Sequence, residues 1–227
     1  MSLSSNNKVY IADYLGVIPY ELALKQQQIL VQARAEGKIP DALLLLQHDP
    51  VFTTGRFRGE EDIVVSIESL EKEGIAVFAS NRGGSVTYHG PGQLVGYPIL
   101  NLENFGLGVK QYIHKLEDAI ILTLADYGIN AGRLEGATGV WIDNNLNQNT
   151  KPEIRNLRKI CAIGVRVSRY VTMHGFALNV NTDLRYFSYI NPCGLTFGVT
   201  SIRQEMGKEC SMEEVKEILK RKFNELY

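Results

Sequence analysis

Arg82-Gly83-Gly84-Ser85-Val86-Thr87-Tyr88-His89-Gly90-Pro91-Gly92-Gln93 is the densest glycine cluster in the chain, and the apolar run Leu94 to Leu100 leaves it. Ser85-Val86-Thr87 reads as strand, so the cluster offers a phosphate no helix N-terminus. Gly83 and Gly84 carry no Cβ, which lets a ligand approach the backbone, and Gly90-Pro91-Gly92 makes a tight turn. Neither G-x-G-x-x-G nor G-x-x-x-x-G-K-[ST] is present, so nucleotide sites of those kinds are not expected. Two readings stay open at this point. One is an ordinary hairpin with glycine turns; the other is a ligand site furnished by Arg82, Thr87, Tyr88 and His89.

Outward from the cluster, Lys8 to Tyr14 alternates as a strand, and Pro19 suits the first turn of a helix running to about Glu36, with Gly37 as its stop. Ala42 to Leu46 is too continuous for an exposed strand and reads as a buried one. Ser66 to Glu73 looks like a short capped helix, followed by a strand from Ile75 to Ala79. Val109 to Tyr127 places Tyr112, Leu116, Ala119, Ile120 and Thr123 at helical spacing, ended by Gly128. Val140 to Ile142, Lys159 to Val167 and Met173 to Val180 are strands, the first two joined by the polar loop Asn144 to Pro152. Leu184 to Tyr189 is short and helical or irregular, Asn191-Pro192-Cys193-Gly194 a turn. Ser211 with Glu214 is a capping box, after which Val215, Ile218, Leu219 and Phe223 face the core. About seven strands, several joined directly by turns, with three good helices predict an α/β fold. The expectation is a single domain over residues 1–227 with a mixed β-sheet flanked by helices, not a doubly wound parallel sheet.

The chain has 227 residues, 44% of them hydrophobic, enough for one large domain with a proper core. A formal charge of −1 argues against a protein held to nucleic acid by its overall field. Neither a basic and apolar leader nor an apolar run of membrane-spanning length is present, so a cytoplasmic location and no membrane are expected. Three cysteines, Cys161, Cys193 and Cys210, form no C-x-x-C pair and read as free thiols in a reducing compartment.

Cys161 alternates with Ile163, Val165 and Val167 and reads as a small hydrophobe in a strand. Cys210 stands beside Glu209, with Glu213 and Glu214 close by, all opposing a thiolate. Cys193 is bracketed by Pro192 and Gly194 in a turn that can present a thiol to a cleft. Lys159, at a strand border, is either a solvated end or a group placed in a site. His48, His114 and His174 read as surface or satisfied core residues, and His89, His174 and Cys193 lack any recognisable metal-ligand spacing, so no metal is expected.

Taken together, Arg82 to Val95, Lys159-Ile160-Cys161-Ala162-Ile163-Gly164-Val165, His174-Gly175-Phe176-Ala177-Leu178-Asn179-Val180 and Asn191-Pro192-Cys193-Gly194-Leu195 resemble the LipB-type octanoyltransferases of lipoate biosynthesis. The resemblance spans about Leu43 to Ile202 and implies the biotin/lipoate protein ligase type of fold. It also implies transfer of an octanoyl group from octanoyl-acyl carrier protein to a lysine of lipoyl domains, those of 2-oxoacid dehydrogenases and the glycine cleavage H protein. In that family Cys193 would be the acyl-carrying nucleophile and Lys159 its assistant. Arg82, Gly83, Gly84, Ser85, Val86, Thr87, Tyr88, His89, Ala162, Ile163, Gly164, Gly175, Phe176 and Ala177 would bind the acyl group, and no cofactor is implied. Val165, Phe176 and Leu178 either line an acyl tunnel or are simply core.

Lys151, Arg155, Arg158, Lys159, Arg166 and Arg169 make a local basic excess that either docks an acidic carrier or is a solvated face. Two rival functions are an ATP-dependent lipoate ligase of the same fold, separated by ATP dependence with free octanoate, and a non-catalytic binding module, separated by binding without a mass change.

Overall fold

The computed structural model describes residues 9–11, 15–56, 59–143, 157–191 and 197–227. Among them, β3 (Ala42–His48) is buried along almost its whole length because both its faces are covered. Leu43 and Leu45 enter one core and Leu44 and Leu46 another, which is why the run lacks polar alternation. β3 belongs to a mixed sheet ordered β1-β3-β7-β11-β10-β9-β8. The other members are β1 (Tyr10–Ile11), β7 (Gln93–Ile99), β8 (Ala131–Leu134), β9 (Ala137–Ile142), β10 (Arg158–Ser168) and β11 (Val171–Asn179). β2 (Val17–Ile18) pairs with β3 and β12 (Gly198–Val199) with β10, both in parallel. The central ladder from β3 to β8 is antiparallel throughout.

Helices cover both faces. α3 (Val109–Ala125) and α5 (Met212–Leu226) bury Tyr112, Leu116, Ile120, Val215, Leu219 and Phe223 against one face. α1 (Tyr20–Ala35) starts directly after Pro19 and packs Ala23 against Val95, Tyr97 and Ala177 on the other. The expected Ser211 cap accepts the Glu214 N–H at 3.3 Å, satisfying an otherwise orphan donor. Ile218 is half-buried, at the margin of the face predicted for it.

A second, three-stranded sheet, β5-β4-β6, was not foreseen. It joins β4 (Val51–Thr54), β5 (Ala76–Ala79) and β6 (Thr87–His89), with α2 (Ile67–Lys72) beside it and Phe52, Leu70, Ile75, Val86 and Tyr88 as its core. β4 and β8, of four residues each, fall outside the expected strands. Of the strand expected over Lys8 to Tyr14, β1 is strand and residues 8 and 12–14 lie outside the described residues; α4 (Ile202–Met206) is an added short helix. The loop expected over Asn144 to Pro152 lies outside the described residues. Among the described residues no helix is long and apolar enough to cross a membrane.

Candidate active site

The glycine cluster lies across the sheet as well as leading into it. The Gly83 N–H donates to the Val165 carbonyl at 3.0 Å, and a Cβ on Gly164 would stand 2.8 Å from the Gly83 oxygen. Glycine at 164 is therefore what permits this close backbone approach. Beside it, β10 and β11 pair Ala162 with Ala177 and Gly164 with Gly175, so neither partner carries an atom beyond Cβ. Larger residues would fill the space above the strands. Instead a cavity of about 760 Å³ opens there, walled by both sheets. That volume suits a small-molecule or acyl group.

Lys159 lines this cavity, with its Nζ 4.5 Å from the centroid of the Trp141 ring. A β-bulge explains its direction. Lys159 stands opposite Trp141, but Cys161 stands opposite Val140, so Ile160 is an extra residue. Regular alternation would send Lys159 into the core beside Cys161; the bulge re-aims it. An inserted residue thus turns Lys159 to the cavity.

A hydrogen-bond chain ties the two ends of the site together. Arg82 Nε and Nη2 donate to Thr53 Oγ1 at 3.3 and 2.9 Å, and its Nη1 donates to the Gly83 carbonyl at 3.0 Å. Thr53 Oγ1 is 3.3 Å from His89 Nε2, and His89 Nδ1 is 2.8 Å from Gln93 Oε1. Gln93 Nε2 donates to Asn179 Oδ1 at 2.9 Å, Asn179 Nδ2 to the Thr200 carbonyl at 3.0 Å, and the Thr200 N–H to the Lys159 carbonyl at 3.0 Å. Placing the His89 proton on Nδ1 satisfies every member of this chain. Ser85 Oγ donates to Asp62.

His174 shares the strand parity of Leu178, which is wholly core, yet it lines the cavity and its Nε2 lies 3.0 Å from Asn81 Oδ1. Its φ of +59° accounts for the change of direction. Such a backbone in a non-glycine residue is strained. The Gln27 Oε1 acceptor on α1 takes the His174 N–H at 2.9 Å. The expectation of a satisfied core histidine holds for His48, bonded to Tyr97 Oη and the Ile18 carbonyl, and His114 is exposed. His174 is buried and partnered but also faces the cavity.

Burial pushes the pKa of His48 and of His174 down to about 4, and holds His89 well below its ordinary value. The unfolded chain, with histidines near 6.5, then takes up protons that the folded state refuses. Stability is full above about pH 6.5 and is lost as pH falls toward 4. A displacement from 6.5 to about 4 is worth roughly 3 kcal/mol per ring. Thermal melts from pH 7.5 to 5 should show a falling Tm that His48→Gln flattens, and a flat wild-type profile would contradict the buried neutral rings.

Thirteen of the fourteen expected acyl-binding residues line the cavity, together with Lys159. Tyr88 is the correction. It alternates away from Thr87 and His89, and its ring packs on Phe52, Tyr186 and Phe187 in the core of the small sheet. Val165 and Phe176 line the cavity, whereas Leu178 is wholly core. Cys161 is also wholly core, and burial pushes its thiol up; Cys210 is half-buried with its thiol likewise raised. Cys193 lies outside the described residues. Ile190 and Phe197, on either side of it in sequence, both line the cavity. Of the basic excess, Arg158 pairs with Glu205 at 3.0 Å, Arg166 and Arg169 are exposed, and Lys151 and Arg155 lie outside the described residues.

Sequence reasoning missed Tyr20, Gln93, Tyr97, Trp141, His174, Asn179 and Phe197 as lining residues. Gln93, His174 and Asn179 stood within the quoted motifs as polar residues on buried strands and could have been found by that signal. The others are brought to the cavity by tertiary packing alone.

Residues 19–224 match the lipoyl protein ligase A/B catalytic domain. The chain belongs to that family. Within the lipoyl protein ligase A/B family, it is 51% identical over 213 residues to an octanoyltransferase of Bacteroides fragilis, covering 91% of this chain and 93% of that one. An octanoyltransferase of Solibacter usitatus is 50% identical over 213 residues, covering 94% and 90%. Among solved structures, the bipartite lipoate protein ligase of Thermoplasma acidophilum superposes with a TM-score of 0.69 at 18% identity, covering 96% of this chain and 83% of that one. A biotin protein ligase of Aquifex aeolicus in complex with biotin and ATP gives a TM-score of 0.55 at 14% identity, covering 96% and 69%. These two likenesses establish the biotin/lipoate protein ligase-like fold expected for this lipoyl protein ligase A/B member.

Proposed function

We propose that this chain is an octanoyltransferase acting in protein lipoylation, passing the octanoyl group from octanoyl-acyl carrier protein through a thioester on Cys193 to one lysine of a lipoyl domain. The observation that carries the reading is the half-identity to octanoyltransferases over nine tenths of both chains. The cavity supports it chemically: a largely apolar wall of Ile163, Val165 and Phe176 suits an alkyl chain, and Lys159 stands at one side of it. All 227 residues would serve as one catalytic domain.

In this reading the Cys193 thiolate attacks the donor thioester carbonyl, and the carrier's phosphopantetheine thiol leaves. The acceptor lysine amine then attacks the Cys193 thioester, its proton passes to Lys159, and the Cys193 thiolate leaves. Exchange between two thioesters is nearly balanced and the amide forms downhill, so no nucleotide is required. Intact-protein mass spectrometry without ATP tests this directly. The expected result is an octanoyl adduct on the chain that moves to an added apo lipoyl domain. Acylation that needs ATP and free octanoate would instead make it a ligase, and stable binding without a mass change a non-catalytic module.

Phe176 is expected to bound the chain's path. Phe176→Trp should alter the ratio of octanoyl to shorter-acyl transfer rates, and an unchanged ratio would remove it from the boundary.

A further inference from the structure

The bulge that aims Lys159 is braced from behind. Opposite it on β9, Gly139 has a φ of +125°, and a Cβ there would stand 2.6 Å from the Cys161 carbonyl oxygen. The registers of β9 with both β8 and β10 break around this point, and the Gly139 N–H turns toward α3. There it donates to Glu117 Oε1 at 3.1 Å. Glu117 is 4% exposed. Its other oxygen, Oε2, is fixed by Arg133 Nε at 2.8 Å and His114 Nδ1 at 3.1 Å, so the carboxylate is held in one orientation. With Oε2 held by Arg133 and His114, the other oxygen of this buried carboxylate is aimed at the backbone N–H of the irregular strand pair.

We propose that Glu117 is a positioning residue for Lys159: by accepting the Gly139 N–H it holds the bulge that turns the ammonium out of the core and over the Trp141 ring. Glu117 touches neither the cavity nor the reacting groups and acts through the backbone of β9 and β10. The inference rests on Lys159 being the working group of the proposed transfer, but its geometric half can be read without activity. Trp141 is the chain's single tryptophan, so its emission reports the ammonium above it.

The test compares wild type, Lys159→Met, Glu117→Met, Glu117→Asp and Glu117→Gln, each checked for cooperative melting. Lys159→Met should change Trp141 emission, and Glu117→Met, which cannot accept the bond, should reproduce that change. Glu117→Asp keeps the charge for Arg133 but is one methylene too short for Gly139, so it should behave like Glu117→Met and decides the matter if the methionine variant does not fold. Glu117→Gln retains an acceptor and should restore wild-type emission. In transfer assays, Glu117→Asp should lower kcat on the order of 10²-fold, the scale of a misplaced catalytic group, with KM for the carrier within about twofold. A folded Glu117→Asp with wild-type emission and kcat would overturn the proposal. If wild type transfers nothing while the emission series behaves as stated, the functional reading fails and the brace stands.

Discussion

Cys193→Ala is expected to form no octanoyl adduct with octanoyl-acyl carrier protein and to transfer nothing above background, because loss of a covalent nucleophile costs on the order of 10⁶-fold in kcat. The expectation rests on elimination as well as on the family pattern. Cys161 is fully buried in the main core with its thiol raised by burial, and Cys210 sits half-buried beside Met206, also raised. Neither borders the cavity. The segment that carries Cys193 leaves the described structure after Asn191, whose N–H donates to the Asp62 carbonyl at 2.8 Å, and re-enters at Phe197 on the edge of Trp141. Val199 then pairs with Lys159 itself. Ile190 and Phe197, which stand before and after Cys193 in sequence, thus border the same cavity as Lys159, the one lysine that borders it among the described residues. Intact mass spectrometry with and without the substitution reads the outcome, and an equal adduct on the alanine variant would transfer the role to another cysteine.

The fold was legible where residues repeat a pattern long enough to be read. α1 and α3 fall within a residue or two of their expected bounds, and α5 starts directly after its expected Ser211 cap, because caps, glycines and helical spacing agree. The small sheet was not legible, since β4 pairs in parallel with β5 and antiparallel with β6 across long sequence separations that no local pattern encodes. At the site, the motifs located the cavity walls, but the resemblance carried over the whole stretch Arg82 to His89 without distinguishing its two faces. Thr87 and His89 meet the cavity while Tyr88 fills the small core.

Lys159 and His174 show the same limit from the opposite direction. Both have the parity of core residues, and both reach the cavity through a local departure from regular strand: an extra residue in one case, a left-handed φ in the other. A bulge is set by what the neighbouring strand and helix offer, here Gly139 and Glu117, and leaves no period in the sequence of its own strand.

Lys159→Ala should slow transfer on the order of 10²–10⁴-fold, the range for removal of a positioned general base. Lys159 is given two tasks. In the proposed transfer its positive charge would favour the Cys193 thiolate when the donor arrives, and its amine would take the proton of the attacking lysine in the second half. Two ammonium groups brought together in a water-poor cleft depress each other's pKa, which eases that deprotonation. Lys159→Arg separates the tasks, because guanidinium keeps the charge and stacks on the Trp141 ring but does not give up its proton in a protein. Acyl-enzyme formation by Lys159→Arg should therefore stay well above that of Lys159→Ala, while release to the lipoyl domain remains as slow as in the alanine variant. Single-turnover mass spectrometry resolves the two halves. Transfer by Lys159→Ala at the wild-type rate across neutral pH would remove both roles, and equal rescue of both halves by arginine would leave charge alone as the contribution of Lys159.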